Sequence, residues 1–119
     1  MSNIKPKTLF IDIDGVLFQH KQIFARSASP PIVLPGVLEK FYEWDVMGYN
    51  IILTTGRRES EREATQKQLF DAGIIYDELI MGIGGGDRII INDFKFDSKS
   101  PTAHAICIDR DKGLLEANI

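Results

Sequence analysis

The sequence predicts an α/β fold, a parallel sheet with helices on both faces, and three runs of residues carry that expectation. TLFIDIDG (8–15), NIILTTGRR (50–58) and RIIINDFKFD (88–97) each begin as an apolar, largely β-branched stretch and end in polar residues. Continuous apolar runs of this length read as strands buried on both faces, the habit of parallel sheets. Helical periodicity lies between the first two. At 119 residues, 44% hydrophobic and 26% charged, the chain fits one domain, residues 1–119, with one small core.

The elements follow in order. A strand over 7–13 leads to a helix over 36–47, opened by Pro35 and closed by Gly48. Val37, Phe41 and Trp44 share one face of that helix at helical spacing, so Trp44 reads as core and not as a ligand. A strand over 50–55 precedes a helix over 59–72 that ends at Gly73. It turns Thr65, Leu69 and Ala72 inward and shows Glu61, Arg62, Glu63, Lys67 and Gln68 to solvent, a charge run suited to i, i+4 pairs. A short strand near 78–81 is followed by MGIGGGD (81–87), read as a sharp connection between strands. Strands over 88–92 and 104–108 complete the sheet. Repeats, low-complexity segments and long linkers are absent from the sequence.

The chemistry sits where these strands stop. Asp12 and Asp14 place two carboxylates at the end of the first strand, where ligands gather in an open α/β sheet. Packing alone gives no reason to desolvate two acids there. A D-x-D by itself is equally a solvated turn with an Asx cap. The second run ends in Thr54, Thr55 and Gly56, then Arg57 and Arg58; the third ends in Asn92 and Asp93, with Asp97 beyond. Acids, a hydroxyl at a helix start and further acids are complementary types for phosphoryl chemistry and a hard cation.

Together these motifs resemble the haloacid dehalogenase superfamily, whose members are mostly magnesium-dependent phosphatases. DIDGV is similar to that family's first motif, LTTGR to its second, and ND followed by Asp97 to its fourth, over about residues 8–109. The resemblance implies a Rossmann-like sheet and a Mg²⁺-dependent phosphatase. Asp12 is then the nucleophile that forms an aspartyl-phosphate, and Asp14 the acid and base. Asp12, the backbone carbonyl of Asp14 and the carboxylate of Asp93 surround Mg²⁺, and Asp97 accepts from one of its waters. Thr55 holds a phosphoryl oxygen with the N–H groups that follow Gly56, although a Thr there is also an ordinary helix N-cap.

One family feature is missing, the lysine of the third motif, since no Lys or Arg occurs between Asp71 and Asp87. A site of several acids needs a cation to take a phosphoryl group. Arg88 is the expected substitute, with Lys95 and Lys99 as alternatives. The family's cap domain is missing too: Val16 to Leu34 is long enough only for a flap or hairpin, which carries His20, Lys21, Arg26 and SASPP. His20 and Lys21 are candidates for substrate contact, as is Arg57, which matches the family's Gly-Arg pair; Asp109, Arg110 and Asp111 are candidates for the rim. No role is expected for His104. An open site of this kind admits bulky substrates or borrows a lid from another subunit, so a homo-oligomer is an expected partner.

Composition sets the remaining expectations. A formal charge of −3 argues against a general nucleic-acid surface. The lone Cys107, in AHAICID, is expected to be buried as a small hydrophobe and fits a reducing cytoplasm. No apolar stretch is long enough to span a bilayer. The resemblance to short, nearly capless members of the family implies a sugar phosphate as the favoured substrate. A phosphorylated macromolecular end, or a catalytically weak phosphosugar- or protein-binding role, are the alternatives.

Overall fold

The computed structural model describes residues 5–21, 25–27 and 30–119. Its sheet has three parallel strands in the order β1-β2-β3: β1 is Thr8–Asp12, β2 Asn50–Thr54 and β3 Glu78–Ile80. Helix α1, Val37–Val46, joins β1 to β2, and α2, Arg62–Ala72, preceded by a 3₁₀ turn at Glu59–Glu61, joins β2 to β3. Register follows the hydrophobic pattern. Phe10 pairs with Ile52 and Ile11 with Leu53, so Leu9, Ile11, Ile51, Leu53 and Leu79 share one face.

That face meets Val37, Phe41 and Trp44 of α1 and Leu69 of α2 in a single buried cluster. Two right-handed crossovers that step the same way along a sheet put their helices on one side of it. The opposite face carries Phe10, 54% exposed, and Ile80, 43% exposed. Trp44 is core, as its spacing predicts, and packs against Phe41 with ring centroids 5.5 Å apart.

Turn chemistry marks the element ends. Gly36, with φ 79°, stands at the N-cap of α1, one residue after the expected Pro35. Gly48 follows the helix with φ 75°, and Gly73 caps α2 with φ 77°. The C-terminal residues then return to α1: Leu114 N–H donates to the Pro35 carbonyl at 2.8 Å, and Leu114 and Ala117 enter the core. Residues 17–19 and 32–34 pair as the base of a flap, through Gln19 N–H to the Ile32 carbonyl and Leu34 N–H to the Leu17 carbonyl. Residues 22–24 and 28–29 of that flap, part of SASPP among them, lie outside the described residues.

Three expectations fail together. The runs 88–92 and 104–108 form no strand and join no sheet, so among the described residues β1 is an edge strand and not one buried on both sides. Ile89 is 83% exposed and Ile91 91%, and Cys107 is exposed where burial was expected. The cause is length. A parallel strand needs a crossover of a dozen or more residues, and only 81–87 separate β3 from Arg88. Residues 88–107 therefore leave the body as an arm, and the radius of gyration is 15.3 Å against about 13.5 Å for a compact chain of this length.

Candidate active site

β1 ends at Asp12, which is half-buried at the open edge, and the turn after it carries Asp14 back toward the start of α2. There the Arg57 guanidinium grips both carboxylate oxygens of Asp14, Nε to Oδ2 at 2.9 Å and Nη2 to Oδ1 at 2.8 Å. The remaining nitrogen, Nη1, donates to Thr65 Oγ1 at 3.0 Å and Gln68 Oε1 at 2.7 Å. Only 1% of Arg57 is exposed. A planar fork with every partner fixed is a strong and directional interaction.

Two expectations change here. Arg57 was expected to contact substrate; its donors are spent inside the protein, and it positions Asp14. Gln68 was expected to face solvent; it is buried because Arg57 needs an acceptor, and its own amide donates to the Arg26 carbonyl at 3.0 Å. Arg26 in turn forks onto Glu61 at 3.1 and 3.2 Å, and Ser27 Oγ and Arg58 N–H donate to the same carboxylate. The Arg26 guanidinium beside Glu61 holds that carboxyl down at about 2. The flap is thus tied to the start of α2.

Thr55 is fully buried, as expected for the residue after β2, and its Oγ1 accepts the Arg57 N–H at 3.1 Å. The bond closes the turn around Gly56 and leaves the hydroxyl proton available to another acceptor. Gly56 is required because the Gly84 carbonyl passes 3.1 Å from where a Cβ would stand. The glycine-rich connection crosses the strand ends there, held by Gly82 N–H to the Arg57 carbonyl at 2.7 Å and Ile83 N–H to the Thr55 carbonyl at 3.2 Å.

That crossing delivers Arg88 to Asp12. Its guanidinium donates to the carbonyls of Gly84 and Gly86, and its charge reaches the Asp12 carboxylate. Arg110 reaches the same carboxylate from the returning chain and packs over Gly15, its Cγ 3.2 Å from where a Cβ would stand. Burial nevertheless pushes the Asp12 carboxyl above its ordinary 3.8; the Ile13 N–H, Arg88 and Arg110 pull it down, and Asp14 pushes it further up. Sequence reasoning named Arg110 only as rim. The signal was its place just after an apolar run, opposite Gly15.

The flap residues are less engaged. His20 is exposed, and its backbone N–H donates to Asp111 Oδ1 at 2.8 Å, while Lys21 Nζ donates to the Pro30 carbonyl at 2.8 Å. Asp93 and Asp97, expected at the metal, are not brought to Asp12. Both are exposed on the arm, where Asp93 pairs with Lys95 at 3.1 Å. Among the described residues no three acidic, His or Cys side chains converge on a metal position.

Comparison with known proteins bears on the fold. No protein-family model and no curated protein matches the chain. Among solved structures, a structural-genomics target from Vibrio cholerae matches at 23% identity over 72% of this chain and 79% of its own, with a TM-score of 0.55. A chain of the Pnkp1/Rnl/Hen1 complex, whose Pnkp1 carries a haloacid dehalogenase-like phosphatase domain, matches at 27% over 74% of this chain, with a TM-score of 0.59. The fold is that of the haloacid dehalogenase phosphatases.

A second structure, of the Pnkp1/Rnl/Hen1 RNA repair complex, gives 27% identity over 79% of this chain and a TM-score of 0.56. The chain spans about a third of each of those larger chains, 32% and 28% of their lengths. Among the described residues no helix is long and apolar enough to cross a membrane.

Proposed function

We propose that this chain is a phosphatase that hydrolyses phosphomonoesters through an aspartyl-phosphate on Asp12. The observation that carries the reading is a half-buried carboxylate at a strand end, faced by two guanidiniums and flanked by a second carboxylate locked in a buried fork. Arg88 and Arg110 take the phosphoryl oxygens and supply the positive charge that the absent third-motif lysine would have given. Asp12 attacks phosphorus, the ester bond breaks as the leaving oxygen takes a proton from Asp14, and water then attacks the aspartyl-phosphate, returning a proton to Asp14 and releasing inorganic phosphate.

Asp14 keeps a lone pair on each oxygen beyond those Arg57 uses, and it orients the attacking water and moves its proton. Thr55 and the N–H groups after Gly56 receive the transferred group. Of the oxygens expected around the family's Mg²⁺, the Asp12 carboxylate and the Asp14 backbone carbonyl lie at this edge in one copy, while Asp93 lies on the arm. A hard cation of this kind needs more oxygen ligands than that.

On this reading the enzyme works in the cytoplasm on a sugar phosphate, for which the site without a cap has room. The likeness to Pnkp1 favours a second substrate class, the phosphorylated end of an RNA. Release of phosphate from hexose phosphates and from an oligoribonucleotide 3′-phosphate separates the two. The reading expects turnover of one class by wild type and none by Asp12→Asn; turnover of neither would overturn it.

A further inference from the structure

The open edge of β1 and the apolar arm need the same thing. β1 presents an unpaired strand edge with Leu9 and Ile11 only half-buried and Phe10 54% exposed. The arm presents Ile89, Ile90, Ile91, Phe94 and Phe96, each more than half exposed, and no backbone hydrogen bond pairs its two runs among the described residues. A long apolar edge and a loose apolar strand are each an invitation to pairing.

Within one copy the pairing that would complete the site is blocked. The Arg88 guanidinium is held by the carbonyls of Gly84 and Gly86, near enough for its charge to reach Asp12 at the carboxyl end of β1, and from there residues 89–93 would have to run back along β1. Five residues at about 3.3 Å each would carry Asp93 about 16 Å away from Asp12. The parallel alternation that would bring Asp93 to Asp12 requires residues 81–87 to cross beyond β1 and return to its other end, which is too short a connection. Short hinges of this kind favour exchange between copies.

We propose that the arm is exchanged in a two-fold dimer, residues 88–92 of each copy adding as a strand parallel to β1 of the other, so that Asp93 of one copy completes the site built on Asp12 of its partner. With Ile90 opposite Phe10, Ile89 and Ile91 fall beside Leu9 and Ile11 on the core face and Asn92 falls beside Asp12. The two arms lie antiparallel between the two β1 strands in one continuous sheet. Phe94 and Phe96 can each bury roughly 150–250 Å², so two arms with their isoleucines reach the range of about 1,200–2,000 Å² used by stable interfaces. The role given to Asp93 rests on the phosphatase reading; the exchange does not.

The test mixes Asp12→Asn and Asp93→Asn chains, unfolded together and refolded in equal amounts. Each variant alone should be inactive. In a heterodimer one of the two sites draws intact Asp12 and Asp93 from different chains, so the mixture should regain about a quarter of wild-type phosphate release. No recovery from a mixture whose wild-type control is active would overturn the proposal. Sedimentation should give a dimer that Ile89→Asp with Ile91→Asp converts to monomer; a wild-type monomer up to about 100 µM would also overturn it.

If wild type releases no phosphate, the phosphatase reading has failed and the exchange is judged separately. In a Cys107→Ser background, oxidation of a Phe10→Cys chain mixed with an Ile90→Cys chain should give the disulfide-linked heterodimer. A yield no higher than that of Tyr42→Cys, exposed on α1, with Ile90→Cys would reject the exchange.

Discussion

Asp12 is the residue on which chemistry and stability pull in opposite directions. Its carboxyl is raised by burial, so folding disfavours its charged form. A raised folded value means the native state holds the proton more tightly. The associated stability is present below the ordinary 3.8 and is lost as pH rises through the folded value. Asp12→Asn should therefore be more stable than wild type at pH 7 by urea denaturation, with the difference shrinking toward pH 4. If Asp12 attacks as the proposed mechanism has it, only its ionised form does so, and the same shift moves the acid limb of phosphate release above the ordinary 3.8. Arg57 is the opposite case: it is buried and paired, and losing it strands Asp14. Arg57→Ala should cost about 3–5 kcal/mol, read from the denaturation midpoint, whereas Arg57→Lys should keep the charge and lose the fork.

At the scale of elements, two junctions hold the site in place. The flap is fixed to α2 by Arg26 and Glu61, whose side chains are 16% and 18% exposed. Glu61 is depressed to about 2, so its contribution is present above the ordinary 4.5 and is lost as pH falls through about 2. Arg26→Ala should remove that part of the acid sensitivity, measured as stability between pH 5 and pH 2. The second junction is the C-terminal return. A Cβ on Gly113 would stand 2.0 Å from the Pro35 carbonyl oxygen at a φ of +85°. Gly113→Ala should cost at least about 1–3 kcal/mol and, by shifting the return that carries Arg110, lower phosphate release. A Gly48→Ala control, with φ +75° and nothing within 4 Å, separates backbone strain from lost contact.

The same scale shows what the sequence made legible. Strands 8–12 and 50–54 and both helices could be read from periodicity, because each is a local pattern that buries one face. Trp44 was legible for the same reason. The Arg57–Asp14 fork was not, since nothing local distinguishes an arginine that faces substrate from one that turns inward to a carboxylate 43 residues away. Gln68 was hidden behind it. RIIIND had every mark of a buried strand, and only the length of the connection before it contradicts that placement.

For the whole molecule, the arm decides whether the site is complete. One copy brings together Asp12, the charges of Arg88 and Arg110, and an Asp14 carboxylate held by Arg57, while among its described residues no three acidic, His or Cys side chains converge on a metal position. If the arms are exchanged, stability and activity both become functions of protein concentration. Activity per chain should then fall on dilution, with a midpoint that follows the dimer dissociation measured by sedimentation.

The central claim is that Asp12 carries the phosphoryl group, and it is tested most directly by trapping. The enzyme is mixed with a substrate labelled at phosphorus, quenched in acid and digested. The account predicts one acid-stable, hydroxylamine-labile label on the peptide that contains Asp12, absent in Asp12→Asn. Phosphate release without any such label, or a label that persists in Asp12→Asn, would contradict it.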